Sequence, residues 1–272
     1  MNNTSKTNST NNVSPLRYPG GKTRACKILD TILTTHFDVT QYTTLLSPFF
    51  GGGSFEFYVQ NTHSLKIIAN DKFTPLYNFW NTVKHNKHAL CNELKRNTTI
   101  TKQQFTQYRD TVMTTDDSLE QATLYFIINR CSFSGATLSG GFSQEASTKR
   151  YTMSSINRIE TLAMTNVDIH NDDYEEFINK HHSDGSAIIM FLDPPYYLGD
   201  GSKLYGKNGD MHENFNHERL YNVLKSKRNW ILTYNNNEHV RNMYKDYIIL
   251  DVNWNYGMNK TKTSSEIVII SK

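Results

Sequence analysis

The sequence predicts an α/β protein built on a largely parallel sheet, and three observations carry that prediction. Short, β-branched apolar runs recur along the chain, helix-compatible stretches separate most of them, and the last two runs have no convincing helix between them. The first two observations imply parallel strands, because parallel neighbours need a crossover connection and a helix supplies it. The third implies an antiparallel hairpin at the end of the sheet.

In chain order, the opening "MNNTSKTNSTNNV" (1–13) is polar and low in complexity and reads as a disordered tail. "GKTRACKILDTIL" is helix-compatible and leads into the first strand, "TTLLSPFF" (43–50). "SFEFYVQN" is the next helix and "LKIIAND" (65–71) the second strand. From about 75 to 160 the rhythm breaks. That interval is rich in Thr, Asn and Gln, contains the helix-like "LEQATLYFIINR" (119–130) and runs into the Gly/Ser-rich "CSFSGATLSGGFSQEASTKRY". It reads as an inserted subdomain ending in a flexible or hairpin-forming loop. Alternation resumes with the strand "NVDIHN" (166–171), the helix "DYEEFINKHH", the strand "AIIMFLD" (187–193), the helix "NHERLYNVLKSK" and the strand "NWILTYN" (229–235). The helix "NEHVRNMYK" follows, and "YIILDV" (247–252) and "EIVIIS" (266–271) close the sheet, joined only by "NWNYGMNKTKTSS".

Composition narrows the class. A chain of 272 residues, 37% of them hydrophobic, is long enough for one large domain or a domain carrying an insert. With 29 basic against 26 acidic residues the net charge is only +3, so contact with a polyanion must come from local clustering. Cys26, Cys91 and Cys131 are odd in number and have no C-x-x-C spacing, which argues against a zinc site or a disulfide framework and suits a reducing, intracellular setting. No apolar run approaches the roughly 18 residues of a membrane span, and the opening lacks the apolar segment of a secretion signal.

Three stretches carry chemistry. "SPFFGGGSF" (47–55) lies between a strand and a helix, where glycines let backbone approach a ligand at the carboxyl edge of the sheet. Asp71 ends the next strand, at the offset where an acid usually meets ribose hydroxyls. "YPGGKT" lacks the upstream glycine of a Walker phosphate loop. In "FLDPPYY", Pro194 and Pro195 fix two φ angles and remove two donors, so the fourth strand ends in a rigid turn. Asp193 and the Pro194 carbonyl there form two adjacent acceptors, which suits an amino group with two donor hydrogens, and Tyr196 offers a face for a planar base. The alternative is that Asp193 caps a helix and the tyrosines are core.

Together, "SPLRYPGGK" (14–22), "SPFFGGGSF", "NDKFTPLYNF" (70–79), "INRCSFSG" (128–135), "DYEEFI" (173–178), "FLDPPYY", "NHERLYNVL" (216–224), "WILTYNN" (230–236) and "SSEIVIIS" resemble, in order, the Dam-like (D12 class, alpha group) DNA adenine-N6 methyltransferases. The resemblance implies a Rossmann-like class I methyltransferase sheet plus a mainly helical target-recognition subdomain. It divides the chain into a tail (1–13), a catalytic domain (14–74 and 161–272) and the recognition subdomain (75–160). It implies S-adenosylmethionine as cofactor, no metal, and double-stranded DNA as partner, with a cognate restriction endonuclease as a further candidate. By the same resemblance Tyr18, Lys22, Phe49, Gly51, Gly53, Asp71 and Asp193 meet the cofactor, with Lys22 facing its carboxylate. Asp173, or else Asp172, meets its adenine, unless these acids only cap the helix that follows. Asp193, Pro194, Pro195 and Tyr196 form the catalytic motif. Arg17, Asn129, Arg130, Phe133 and Ser134 stand where relatives meet DNA, and the loop 136–151, with Lys149 and Arg150, is the expected reading hairpin. Lys203, Lys207, Lys260 and Lys262 suit phosphate contacts or are simply solvated. One departure stands out: Ser47 occupies the position where the family usually carries an acid before Pro-Phe, which puts cofactor affinity in question. Action on RNA, a protein amide or cytosine N4, and a non-catalytic DNA-binding module, are the competing readings.

Overall fold

The structure is a computed structural model that describes residues 12–18, 21–183, 185–197, 215–255 and 263–271. All seven expected strands form: β1 (Thr44–Ser47), β2 (Lys66–Asn70), β3 (Val167–His170), β4 (Ile188–Leu192), β5 (Trp230–Asn235), β6 (Ile248–Asn255) and β7 (Thr263–Ile270). They make one sheet in the order β3-β2-β1-β4-β5-β7-β6. The first five are mutually parallel, and β7 pairs antiparallel with both β5 and β6. The fold is therefore the mostly parallel α/β sheet with an antiparallel closing pair that the sequence predicts.

Alternation along the strands sorts the core onto two faces. Leu45, Ile189, Phe191, Ile231, Val268 and Ile270 pack against α1 (Cys26–His36) and α2 (Ser54–His63). Their neighbours in sequence, Leu46, Met190, Leu192, Leu232, Ile267 and Ile269, pack on the other face with α9 (Tyr174–His181), α10 (His217–Leu224) and α11 (Glu238–Met243). Most of these strand residues are wholly buried, as expected of strands covered on both sides.

Between β2 and β3 the chain forms α3 (Thr74–His85), α4 (Lys87–Arg96), α5 (Lys102–Thr111), α6 (Ser118–Cys131), α7 (Gln144–Lys149) and α8 (Met153–Thr161). Local chemistry sets their starts. Thr101 and Gln104 make a reciprocal capping box on α5, as do Thr152 and Ser155 on α8, and the Asp117 carboxylate caps two amides of α6. Helix α6 is buried from Gln121 through Cys131, on every side. It is the axle of this helical unit, packed in one cluster with Phe79 and Trp80 of α3 and with Ile67, Ala69 and Val167 of the sheet.

Two expectations need correction. The loop 136–151 is not a strand hairpin: Ser132 and Phe142 make a single antiparallel bridge, and Ser143 then caps α7. The serine that looked like loop composition is a helix start. The tail expected over 1–13 falls outside the described residues only through 11. Asn12 is buried and bonded on both sides: its backbone N–H donates to Asn61, its side-chain amide to Gln60 and the Ala163 carbonyl, and its Oδ1 accepts from the Ala163 N–H.

The chain leaves β1 toward β2 and β3 on one side, then returns to place β4 on the other. The carboxyl ends of β1 and β4 thus flank a topological switch point, where open α/β sheets bind ligands.

Candidate functional site

The tip of β1 turns sharply into α2. Gly51 and Gly53 have φ of +49° and +65°, which side chains rarely adopt. A Cβ at Gly52 would lie 2.9 Å from the Tyr18 Cβ, so Tyr18 lies flat against this turn. Asp71, at the end of β2, fixes the turn from beside it: its Oδ2 accepts from the Gly51 N–H at 2.9 Å and its Oδ1 from the Phe73 N–H at 3.0 Å. The carboxyl is buried, and burial pushes it up to about 6 even though both amides favour the anion. Asp71 thus braces the glycine turn.

At the tip of β4, the Lys22 ammonium donates to both oxygens of Asp193 at 2.8 Å, and the Thr233 hydroxyl donates to Oδ1 at 2.6 Å. Lys22 is 4% exposed while the Asp193 side chain is 24% exposed, so the pair is buried on its lysine side and reaches the surface on its carboxylate side. Lys22 faces the catalytic-motif acid here. Pro194 is buried, and Pro195 and Tyr196 are half-buried. The Tyr196 hydroxyl donates to Glu266 Oε2 at 2.5 Å, and Lys22 Nζ lies 5.1 Å from the Tyr196 ring centre and 4.0 Å from Glu266. The rigid turn is therefore held by three elements, with Lys22 in the middle.

Sequence reasoning missed three of these groups. Thr233 and Glu266 read as ordinary strand residues, although both are buried polar groups that neighbouring strands bring to the β4 tip. Glu56 is the third, and its partner is Ser47, the position the sequence already marked as a departure. The Ser47 hydroxyl, wholly buried, donates at 2.6 Å to Oε1 of Glu56, which is 3% exposed on the first turn of α2. The acid absent from position 47 has a near neighbour one helix turn on. A charged residue interrupting the apolar "SFEFYV" was the available signal.

On the other side of β1, Phe49, Tyr174 and Phe215 form an aromatic group with ring centres 5.4 to 5.6 Å apart. Asp173 caps α9 through the Glu175 N–H and pairs with Lys72 and Arg219, which hold it below the usual carboxylate range against the opposing effect of burial. The Asp172 carboxyl, half-buried next to it, makes no hydrogen bond among the described residues; only its backbone is engaged, by the Asn70 amide.

The residues expected at DNA divide into two groups. Asn129 is fully buried and clamps Arg17, accepting from its N–H at 2.9 Å and donating to its carbonyl at 2.6 Å. Arg130 is buried too, donating to the carbonyls of Arg150 and Pro15, and burial together with Arg17, Arg158 and Arg150 lowers it to about 10. These two position other groups. Phe133, by contrast, is 69% exposed, beside Ser134 at φ +59°. Arg150 is exposed and Lys149 pairs with Glu145 across one turn of α7. Lys260, like Lys203, Lys207 and Lys262, lies outside the described residues.

Several features of a ligand site meet at this edge of the sheet. Glycine backbone, an aromatic group, a buried acid at the β2 tip and several carboxylates around one ammonium converge at the switch point. Among the described residues no group of three or more His, Cys, Asp or Glu is placed to hold a metal ion, and no helix is long and apolar enough to cross a membrane. No curated protein matches the chain. The model of one family, described as D12 class N6 adenine-specific DNA methyltransferase, matches residues 18–258.

Proposed function

We propose that this chain, which belongs to the D12 class N6 adenine-specific DNA methyltransferases, moves a methyl group from S-adenosylmethionine to N6 of an adenine turned out of duplex DNA. The observation that carries the reading is the Asp193-Pro194 turn at the β4 tip, next to the glycine turn of β1.

The donor-binding residues we assign are Tyr18, Phe49, Gly51, Gly53, Asp71 and Lys22, with Asp172 the better candidate for the donor's adenine because Asp173 is already committed to Lys72, Arg219 and a helix cap. When bound, the donor supplies a methyl carbon on a sulfonium sulfur, and that sulfur keeps the electron pair of the broken bond. The chain's own task is to position and polarise the nucleophile. Asp193 and the Pro194 carbonyl accept the two N6 hydrogens, which holds the amino group in one orientation and raises electron density on nitrogen. Two donors fix Asp193, yet a carboxylate has about four lone-pair sites, so acceptor capacity remains. Asp193 is also placed to take the proton that N6 sheds on gaining its methyl. Tyr196, steadied by Glu266, provides the stacking face.

For DNA, we assign residues 75–160 as the recognition subdomain. Phe133 is its exposed aromatic wedge, and Arg17 and Arg150 contact phosphates beside it. The test is to incubate the protein with isotopically methyl-labelled S-adenosylmethionine and duplex DNA and to map the product by single-molecule sequencing. N6-methyladenine at one short motif is the expected product, lost in Asp193→Ala. Label in cytosine, in RNA alone or in no nucleic acid overturns the reading.

A further inference from the structure

We propose that Asn235 is a positioning residue for methyl transfer: it holds the far end of the turn 193–197 and so sets the orientation in which Pro194 and Tyr196 meet the target base. The role rests on the reading of that turn as the one that holds the base. β4 and β5 are registered as far as Leu192 opposite Leu232, and β5 runs on past that last rung through Thr233, Tyr234 and Asn235. Beside them the chain leaves β4 as Asp193, Pro194 and Pro195. Two consecutive prolines bring no N–H to the ladder, so backbone pairing cannot continue there and the chain must be held another way.

Side chains of β5 take over. The Thr233 hydroxyl donates to Asp193 Oδ1 at 2.6 Å, and two residues on the Asn235 amide donates to the Tyr197 carbonyl at 2.7 Å. Residues two apart on a strand share a face, so one face of β5 anchors both ends of the turn. Glu266 stands opposite Asn235 on β7 and accepts from the Tyr196 hydroxyl, which fixes the tyrosine that lies between the two anchors. The Tyr197 ring is held separately, stacked on His239 of α11 with ring centres 4.7 Å apart. Ring packing leaves the direction of the Tyr197 carbonyl open, and Asn235 is the group that sets it.

The amide is used for its donor alone. Asn235 Oδ1 is buried and has no hydrogen-bond partner among the described residues, which costs stability. Turning the amide round would not relieve this, because the oxygen would then face the Tyr197 carbonyl. An apolar side chain would fill the strand end without that cost, so the bond donated to the turn is what asparagine contributes here.

Single-turnover methylation at saturating S-adenosylmethionine, on a duplex carrying the motif mapped for the wild-type protein, separates this role from binding. Asn235→Ala removes the donor and should slow methyl transfer about tenfold at every pH, with dissociation constants for S-adenosylmethionine and duplex within about twofold of wild type. Asn235→Asp keeps the shape but, once ionised, sets a carboxylate against the Tyr197 carbonyl, so the loss should approach a hundredfold at about pH 8.5. Burial and Glu266 opposite keep the introduced carboxyl protonated to higher pH than an exposed one, and in that form it donates to the Tyr197 carbonyl as the amide does. Its deficit should therefore shrink below that of Asn235→Ala at about pH 5.5, each rate being compared with wild type at the same pH. An unchanged rate in Asn235→Ala, a rate loss matched by weaker donor or duplex binding, or a deficit in Asn235→Asp that does not shrink as pH falls overturns the proposal. If Asn235→Asp shows no folded state in a thermal melt, Asn235→Ala decides through the first two outcomes. Wild-type protein that methylates no adenine in duplex DNA overturns the reading of the turn itself, and the positioning role with it.

Discussion

Asp193 is useful only in one orientation, and Thr233 and Lys22 set it from two directions. Thr233→Val keeps shape and removes the hydroxyl; we expect kcat to fall about 10- to 100-fold, a loss of roughly 1–3 kcal/mol of transition-state stabilisation, in a steady-state methylation assay. Asp193→Ala should abolish turnover. Glu56 gives a pH signature in stability. Its folded pKa, about 7, lies above its ordinary 4.5, so the folded state binds the extra proton and loses stability as pH rises from about 4.5 to about 7. Glu56→Gln should therefore melt higher than wild type at pH 8, by up to roughly 2–3 kcal/mol, and no higher at pH 4. Thermal melts at the two pH values check this. At this scale the placement of Gly51 in a tight turn and of Asp71 and Asp193 just past strand ends was legible, because turn chemistry and strand ends constrain them. Thr233, Glu266 and Glu56 were not, since their partners lie 40, 70 and 9 residues away and only folding brings them into contact.

Among the elements, α6 carries most of the consequence. Its end presents Asn129 and Arg130 inward, holding Arg17 and the backbone at Pro15 and Arg150, and passes Phe133 outward. Asn129→Ala leaves both Arg17 backbone groups without their partner, so a stability loss of about 2–3 kcal/mol is expected in chemical denaturation. Phe133→Ala touches no core and should leave the melt unchanged, while lowering kcat/KM for duplex DNA at least tenfold if each stacking contact is worth about 1–3 kcal/mol. Arg150→Ala should reduce the slope of log affinity against log salt by about one. The strands were readable from apolar runs with turn residues at their ends. Most helices of the 75–160 interval were not, because Thr, Asn and Gln blur the apolar period. Their caps, Thr101 with Gln104 and Thr152 with Ser155, were the stronger signal. Residues 136–151 misled for a related reason: Gly and Ser suggested a loop, while Ser143 was capping a helix.

Across the whole molecule, one topological choice produces the site. Reversing direction between β1 and β4 leaves their tips side by side, and the glycine turn and the Asp193-Pro194 turn follow directly from those two tips. Alternation of strands and helices in the sequence predicted the parallel sheet, and the missing last crossover predicted the hairpin. The order of the strands was not legible, since periodicity carries no information about which strands are neighbours. That order has a consequence for synthesis. β7 is made after β6 yet lies between it and β5, so those two strands cannot join directly and the far third of the sheet must wait for β7 to leave the ribosome. Glu266 arrives on that same strand. A nascent chain can thus bury much of its interior while Tyr196 still lacks its brace, which ties completion of the turn at the β4 tip to the arrival of β7.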